Sequence, residues 1–387
     1  KHRTFKSWKI LRYNVSTAKN NHMFQSSTIS RRLISSIPST PAVYSSFVDA
    51  VGNTPLIYLS NASERTGCTI YGKAEFLNPG GSVKDRAAKF LVEGLERDGK
   101  LKPGGTIVEG TAGNTGIGLT YIANAKGYKS VIVIPRTQSS EKKDALRQAG
   151  ATLVEVDAQS YRNFNNYIKI SGRLAEQIPG GVWANQFDNV DNRRAHIETT
   201  APEIIRQLPA LDGFSCAVGT GGTLAGCATY FREHSPQITI GHTDPRGANL
   251  HRWYQDGELT SEGDSITEGI GQGRVTRNLE GFTPDYTFEI DDADALRSCY
   301  ELMRKEGLAL GMSSGINVVG AERLAQRMGP GHTLVTILCD STHRYQGKMF
   351  NREFLQSKGL PEPEWLSPEL PSHVAEALAR ATQTEDS

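Results

Sequence analysis

The sequence predicts an α/β fold of parallel-rich, twisted sheets flanked by helices. Three observations predict it. From about Gly52 to Gln356, short β-branched runs alternate with amphipathic helical stretches, the pattern of parallel strands joined by helical crossovers. Glycine is enriched, at 39 of 387 residues, about a tenth of the chain against roughly 7% ordinarily. The glycines also cluster just after expected strands, where folds of this kind bind ligands.

The expected strands are 69–76, 106–111, 130–135, 152–157, 215–220, 238–244, 286–291 and 333–340. Helices are expected over 84–98, where Ala87, Phe90, Leu91 and Leu95 line one face. Others are expected over 141–149, 191–207, 292–305 and 316–328. From Leu360 the chain is Pro-rich and then weakly helical, which predicts a surface appendage over 361–387.

Charge divides the chain. Residues 1–48 hold eight Lys/Arg and no Asp or Glu, leaving 35 basic against 42 acidic residues, a net −7, on the rest. A basic, Ser-rich, acid-free leader before an acidic body resembles a mitochondrial targeting presequence, with Met23 a candidate start. The plainer alternative is a basic tail with no address. The overall net charge of +1 argues against a nucleic-acid binder. No apolar run is long enough to span a membrane as a helix. The five scattered cysteines form no C-x-x-C pair, so neither a disulfide scaffold nor a metal site is expected. Free thiols point to a reducing compartment.

Four Gly-rich or small-residue turns precede expected helices. In Asn78-Pro79-Gly80-Gly81-Ser82-Val83-Lys84-Asp85-Arg86, Lys84 falls in the first helical turn. The helix N-terminus disfavours an ammonium there and suits a lysine working as a neutral amine or a Schiff base. Taken alone, the stretch reads better as an exposed lysine in an ordinary loop-to-helix turn. In Glu109-Gly110-Thr111-Ala112-Gly113-Asn114-Thr115-Gly116, free N–H groups and hydroxyls suit a carboxylate or phosphate. The bland alternative is an N-cap. Gly219-Thr220-Gly221-Gly222-Thr223 follows an apolar strand and makes a phosphate cradle. The fourth turn is Gly311-Met312-Ser313-Ser314-Gly315. It fits the G-x-S-x-G hydrolase elbow, but Asp340 and His343 are too close in sequence to serve on separate loops as its partners. The stretch 94–101 nearly fits a P-loop but lacks the Mg²⁺-binding hydroxyl and ends a helix instead of following a strand.

Together and in this order, these turns resemble the pyridoxal-phosphate-dependent β-replacement family of cysteine synthase (O-acetylserine sulfhydrylase) and cystathionine β-synthase. The resemblance extends from Gly52-Asn53-Thr54-Pro55-Leu56 to about Trp365, some four-fifths of the chain. It includes Asn185-Gln186-Phe187-Asp188-Asn189, Thr199-Thr200-Ala201-Pro202-Glu203, Gly269-Ile270-Gly271-Gln272-Gly273 and Cys339-Asp340.

The resemblance implies a two-domain, tryptophan synthase β-like fold (fold type II). A smaller domain would span 49–188, with part of 56–77 packing on a larger domain over 189–360. Lys84 would anchor pyridoxal 5'-phosphate and move the substrate's Cα proton. Gly219, Thr220, Gly221, Gly222 and Thr223 would hold the phosphate, Asn114 the ring oxygen, and Ser313 would face the pyridine nitrogen. Thr111, Ala112, Gly113, Thr115 and Gln186 would take the substrate α-carboxylate. Two departures stand out. Ala112 occupies a common serine position. In Ser341-Thr342-His343-Arg344-Tyr345, His343 is read as replacing a glycine two residues before the arginine, with altered backbone expected near the ring.

The leading functional reading is cysteine formation from O-acetylserine and sulfide by a homodimer, with serine acetyltransferase as a further partner. The alternatives are condensation of serine with homocysteine and a non-catalytic scaffold. The first alternative is expected to show a Cys-Pro-His haem segment and a regulatory module after Trp365; the residues given show neither, so no haem is expected. Retention of Lys84 and the phosphate turn opposes the second.

Overall fold

The computed structural model describes residues 43–111, 113–366 and 369–382. Most of the expected leader lies outside them, but its boundary at residue 48 falls late. Val48 is buried in an apolar cluster with Leu91, Leu119 and Ile122, and the Phe47 ring packs on Tyr121 at 5.4 Å. The folded body therefore takes in Phe47 and Val48.

Ten strands are present among the described residues: β1 (Leu56–Tyr58), β2 (Thr69–Ala74), β3 (Thr106–Gly110), β4 (Lys129–Pro135), β5 (Thr152–Val156), β6 (Gly181–Trp183), β7 (Gly213–Ala217), β8 (Thr239–Pro245), β9 (Tyr286–Ile290) and β10 (Thr333–Leu338). They form a six-stranded sheet in the order β1-β2-β10-β7-β8-β9 and a four-stranded sheet in the order β5-β4-β3-β6. Every pairing is parallel except β1 with β2. The eight expected strands all form, with ends shifted by up to three residues. β1 and β6 were not expected, because three half-buried residues each give no alternation to read.

Burial on both faces explains the continuous apolar runs. Between the six-stranded sheet and its helices, Phe214, Phe231, Leu224, Ile240 and Ile337 are fully or almost fully buried. Each such side chain contributes about 1.5–3 kcal/mol relative to exposure. β3 is buried along its whole length and ends at Gly110, just before Thr111, while β7 ends just before the turn 219–223.

Two helices differ from expectation. That over 191–207 is Asp191–Ala195, a π-helical turn His196–Thr200, then Ala201–Gln207. Pro202 has no N–H to return to the carbonyl four residues back, which favours the widened turn. The helix expected at 316 begins earlier, as Met312–Met328. Ser313, Ser314 and Gly315 are helical because close packing overrides their weak propensity: a Cβ on Gly315 would collide with the Ala295 carbonyl. Of the expected appendage, Trp365 packs edge-on against Tyr300, and the helix Ser372–Ala381 buries no residue.

Candidate active site

The site is built on the start of the helix Lys84–Arg97. Val83 N–H donates to the Cys339 carbonyl at 2.9 Å, and Ser82 bridges Asp340, tying the helix start to the end of β10. Gly80 N–H donates to Asp85 at 2.6 Å. Burial pushes the Asp85 carboxyl up to about 7. Behind Lys84, Arg86 pairs with Glu75 and Glu203, each at 2.7 Å. Lys73 also pairs with Glu203, at 2.8 Å. Burial alone would raise the Glu203 carboxyl, but Arg86 and Lys73 outweigh it and hold it at about 2. Asn53 N–H and the Thr54 hydroxyl donate into the same network, as does Asn78, whose amide reaches Glu75 at 2.8 Å. The 52–56 and 199–203 motifs thus fix the floor of the site from below. Lys84 itself lines a cavity of ≈160 Å³. Its ammonium has no hydrogen-bond or ion-pair partner among the described residues.

The turn 219–223 enters the helix Gly222–His234. A Cβ on Gly219 would press into the Gly269 carbonyl oxygen, and Gly221 has a left-handed φ of 89°, so backbone packs where a side chain would stand. Thr220 Oγ1 accepts from Asn192 at 2.9 Å, and Thr276 donates to the Thr220 carbonyl at 2.7 Å. The Thr223 hydroxyl shares a hydrogen bond with His196 Nε2 at 3.2 Å. Burial, reinforced by Arg86 and Lys84, holds His196 well below its ordinary value, so the ring is neutral.

Opposite stands the turn into the helix Asn114–Lys126. This helix has no side-chain cap, which removes the capping reading of Asn114. Instead Asn114 donates to Asp340 at 2.7 Å and accepts from Arg344 at 2.7 Å. Thr115 donates to Gln186 at 2.6 Å, and the Gln186 amide donates to Glu109 and to the Gly110 carbonyl, both at 3.1 Å. Burial pushes the Glu109 carboxyl up to about 8.

Lys84, Thr111, Gly113, Asn114, Thr115, Gln186, Gly219, Thr220 and Ser313 all line the one cavity. Gly221 and Thr223 line an adjoining recess with Lys84. Gly222 lines neither and packs against Asn192. Ala112 lies outside the described residues. His343 is exposed and does not line the cavity, so it cannot serve Ser313 as a hydrolase partner. The residue two before Arg344 is Thr342, not His343: the glycine position therefore falls on Thr342. It sits in an ordinary 3₁₀ turn Thr342–Arg344 and is absent from the positive-φ residues, so no backbone distortion follows. Sequence reasoning missed Lys142, Tyr167, Glu268 and Tyr345, which also line the cavity, and His196 behind the phosphate turn. The stretches around Lys142, Tyr167 and His196 carry no glycine signature, whereas Glu268 directly precedes Gly269-Ile270-Gly271-Gln272-Gly273. Cys339 lines the cavity too, but burial and then Asp340 push its thiol up to about 11, so it stays protonated near neutral pH.

This arrangement, an unpaired lysine at a helix start facing a Gly/Thr phosphate turn, defines a class. Residues 48–340 match the family described as "Pyridoxal-phosphate dependent enzyme", and the chain belongs to it. It is 48% identical over 347 residues to Cysteine synthase 1 of Neurospora crassa, covering 85% of this chain and 92% of that protein. It is 51% identical over 318 residues to Cysteine synthase 1 of Emericella nidulans, covering 81% and 86%. Among solved structures, O-acetylserine dependent cystathionine beta-synthase from Helicobacter pylori superposes with a TM-score of 0.73 at 35% identity, covering 80% of this chain and 99% of that one.

The residues fit the cofactor. The amides and hydroxyls at 219–223 open a helix N-terminus toward the cavity, which suits a phosphate, and Lys84 is free to bond the cofactor's aldehyde carbon. Ser313 is a buried neutral hydroxyl that lines the same cavity. It cannot protonate a ring nitrogen as a carboxylic acid would.

Proposed function

We propose that the chain forms L-cysteine from O-acetyl-L-serine and sulfide, releasing acetate. The observation that carries the reading is the convergence of Lys84, the phosphate turn and the carboxylate-binding turn on one cavity. The two relatives near 50% identity that are named cysteine synthase support it. Pyridoxal phosphate, when bound, supplies the electron sink that lets a proton leave the amino acid's Cα and a group leave its Cβ.

The chain's own residues do the rest. The Gly113 amide and the Thr115 hydroxyl, which donate to Thr111 Oγ1 and Gln186 Oε1, turn to the substrate α-carboxylate on binding. Gln186, its amide held by Glu109 (neutral through burial) and the Gly110 carbonyl, acts by setting the Thr115 hydroxyl through its side-chain oxygen. Lys84 Nζ takes the Cα proton as general base and returns it after sulfide has added at Cβ. Asn114, fixed between Asp340 and Arg344, keeps one amide hydrogen for the ring oxygen. Ser313 leaves the ring nitrogen without a full proton donor, which favours β-elimination over transamination.

The test is the steady-state rate of the cofactor-loaded enzyme with O-acetylserine, O-phosphoserine, serine and O-acetylhomoserine, each with sulfide or homocysteine. O-acetylserine with sulfide should give the highest kcat/KM. A higher value for serine with homocysteine would overturn the reading in favour of cystathionine formation.

Three further points belong to the same reading. The basic stretch ahead of Phe47 acts as a mitochondrial address, supported by its eight basic and zero acidic residues. The working form is a homodimer, and serine acetyltransferase is its partner protein. These two rest on the family resemblance.

A further inference from the structure

We propose that Lys142 and Glu268 form a clasp that positions the carboxylate-binding turn against the cofactor turn, with Lys142 a positioning residue. The inference rests on the reading of this cavity as an amino-acid site.

Lys142 lies on the helix Ser140–Gln148 beside the four-stranded sheet, and Glu268 on the segment joining β8 to β9. Both line the cavity, both are almost fully buried, and they are ion-paired with each other. Lys348 reaches the other Glu268 oxygen at 2.7 Å. The Lys142 ammonium also lies 4.6 Å from the centre of the Tyr345 ring, whose hydroxyl donates to Asp340. Burial tends to raise the Glu268 carboxyl, but the two lysines hold it below its usual range.

What the pair touches gives it a role. The Lys142 stem lies directly on Gly113: a Cβ there would stand 2.8 Å from Lys142 Cδ. At the other end, Gly269, the residue after Glu268, sets its carbonyl against Gly219 of the phosphate turn. One ion pair therefore links the two turns that hold substrate and cofactor. A buried pair is weak evidence for stability, since apolar side chains of similar size would do as well. Its position over Gly113 assigns it to holding that turn in the carboxylate-binding geometry.

The experiment compares cofactor-loaded wild type with Lys142→Met, Glu268→Gln, the double variant and Lys142→Arg. O-acetylserine affinity is read from the change in cofactor absorbance, and KM and kcat from turnover. Hydrogen exchange of peptides spanning 111–116 is followed without substrate. Each single loss should weaken O-acetylserine binding about tenfold, with kcat within about threefold, and should speed exchange of those peptides. The double variant should be no worse than either single one, because coupled partners are not additive. Lys142→Arg should restore most of the affinity. Unchanged exchange and affinity in both single variants would overturn the clasp, as would additive losses in the double. Loss of cofactor or of thermal stability in proportion to the lost affinity would make the pair a strut and equally overturn it. A wild type that binds no O-acetylserine, yet shows the expected exchange changes in the variants, would count against the functional reading and leave the clasp supported.

Discussion

The two glycine-rich turns that face each other across the cavity are built differently. The turn 219–223 is enclosed by the Gly269 carbonyl at Gly219, the Leu279 side chain at Gly221, and Asn192 and Thr276. The turn at Gly113 is covered by one long side chain, the stem of Lys142, and continues into Asn114 and Thr115, which are held through side-chain amides and a carboxylate. The carbonyl against Gly219 cannot yield without moving main chain, whereas Gly113 is covered by a side chain held by one ion pair. The difference matches the proposed roles, the turn 219–223 for a resident group and the turn at Gly113 for a substrate.

The sharpest test of that contrast is a matched pair of glycine substitutions. In Gly219→Ala the new methyl meets the Gly269 carbonyl; in Gly116→Ala it meets the methyls of Ile132, Thr111 and Leu146 at 2.9–3.0 Å. Gly219→Ala should lose more than about tenfold in cofactor affinity, since its collision is with backbone and displaces the phosphate turn. Gly116→Ala should keep its cofactor and lose about 1–3 kcal/mol of stability, the usual cost of overpacking. Equilibrium dialysis against free cofactor and denaturant melts check both. Equal retention of cofactor by the two variants would break the contrast.

The floor beneath both turns is a charged network, and it should matter to stability more than to selectivity. Arg86→Met leaves Glu75 and Glu203 buried, with Lys73 their remaining cation, and should cost about 3–5 kcal/mol. Urea melts check this, and a loss under about 1 kcal/mol would show that the network is well hydrated.

A pH-dependent effect tests the substrate side alone. Glu109 has its carboxyl raised from 4.5 to about 8. The folded state therefore holds a proton that the unfolded state gives up first. Stability should fall as pH rises from about 4.5 to about 8 and then level off, by at most about 1.4 kcal/mol per pH unit. Glu109→Gln should lack that slope, so its melts at pH 5.5 and 7.5 should differ less than those of the wild type. Parallel pH profiles would mean that Glu109 is ionised in the folded protein.

Much of this was legible in the sequence, because parallel strands buried on both faces leave long apolar runs and because cofactor and substrate turns need glycine. Lys84, the turn 219–223 and Ser313 stand out through those glycines, and the structure brings them to one cavity and its adjoining recess. Lys142, Glu268 and Tyr345 do not stand out, since charged or aromatic residues in ordinary helices and loops look like solvated surface until the fold buries them. The π-helical turn that brings His196 to Thr223 left only Pro202 as a trace. β1 and β6 are too short for periodicity to show. His343 was misjudged by one position, and the turn it occupies proved ordinary.

Two lysines line the cavity, and the account assigns the cofactor to one of them. Lys84 has no partner among the described residues, whereas Lys142 is bound to Glu268. Borohydride reduction of the cofactor-loaded protein, followed by peptide mapping, decides between them. The account predicts a single pyridoxyl label, on Lys84, and its complete loss in Lys84→Ala together with turnover. A label on Lys142, or turnover that survives Lys84→Ala, would contradict it.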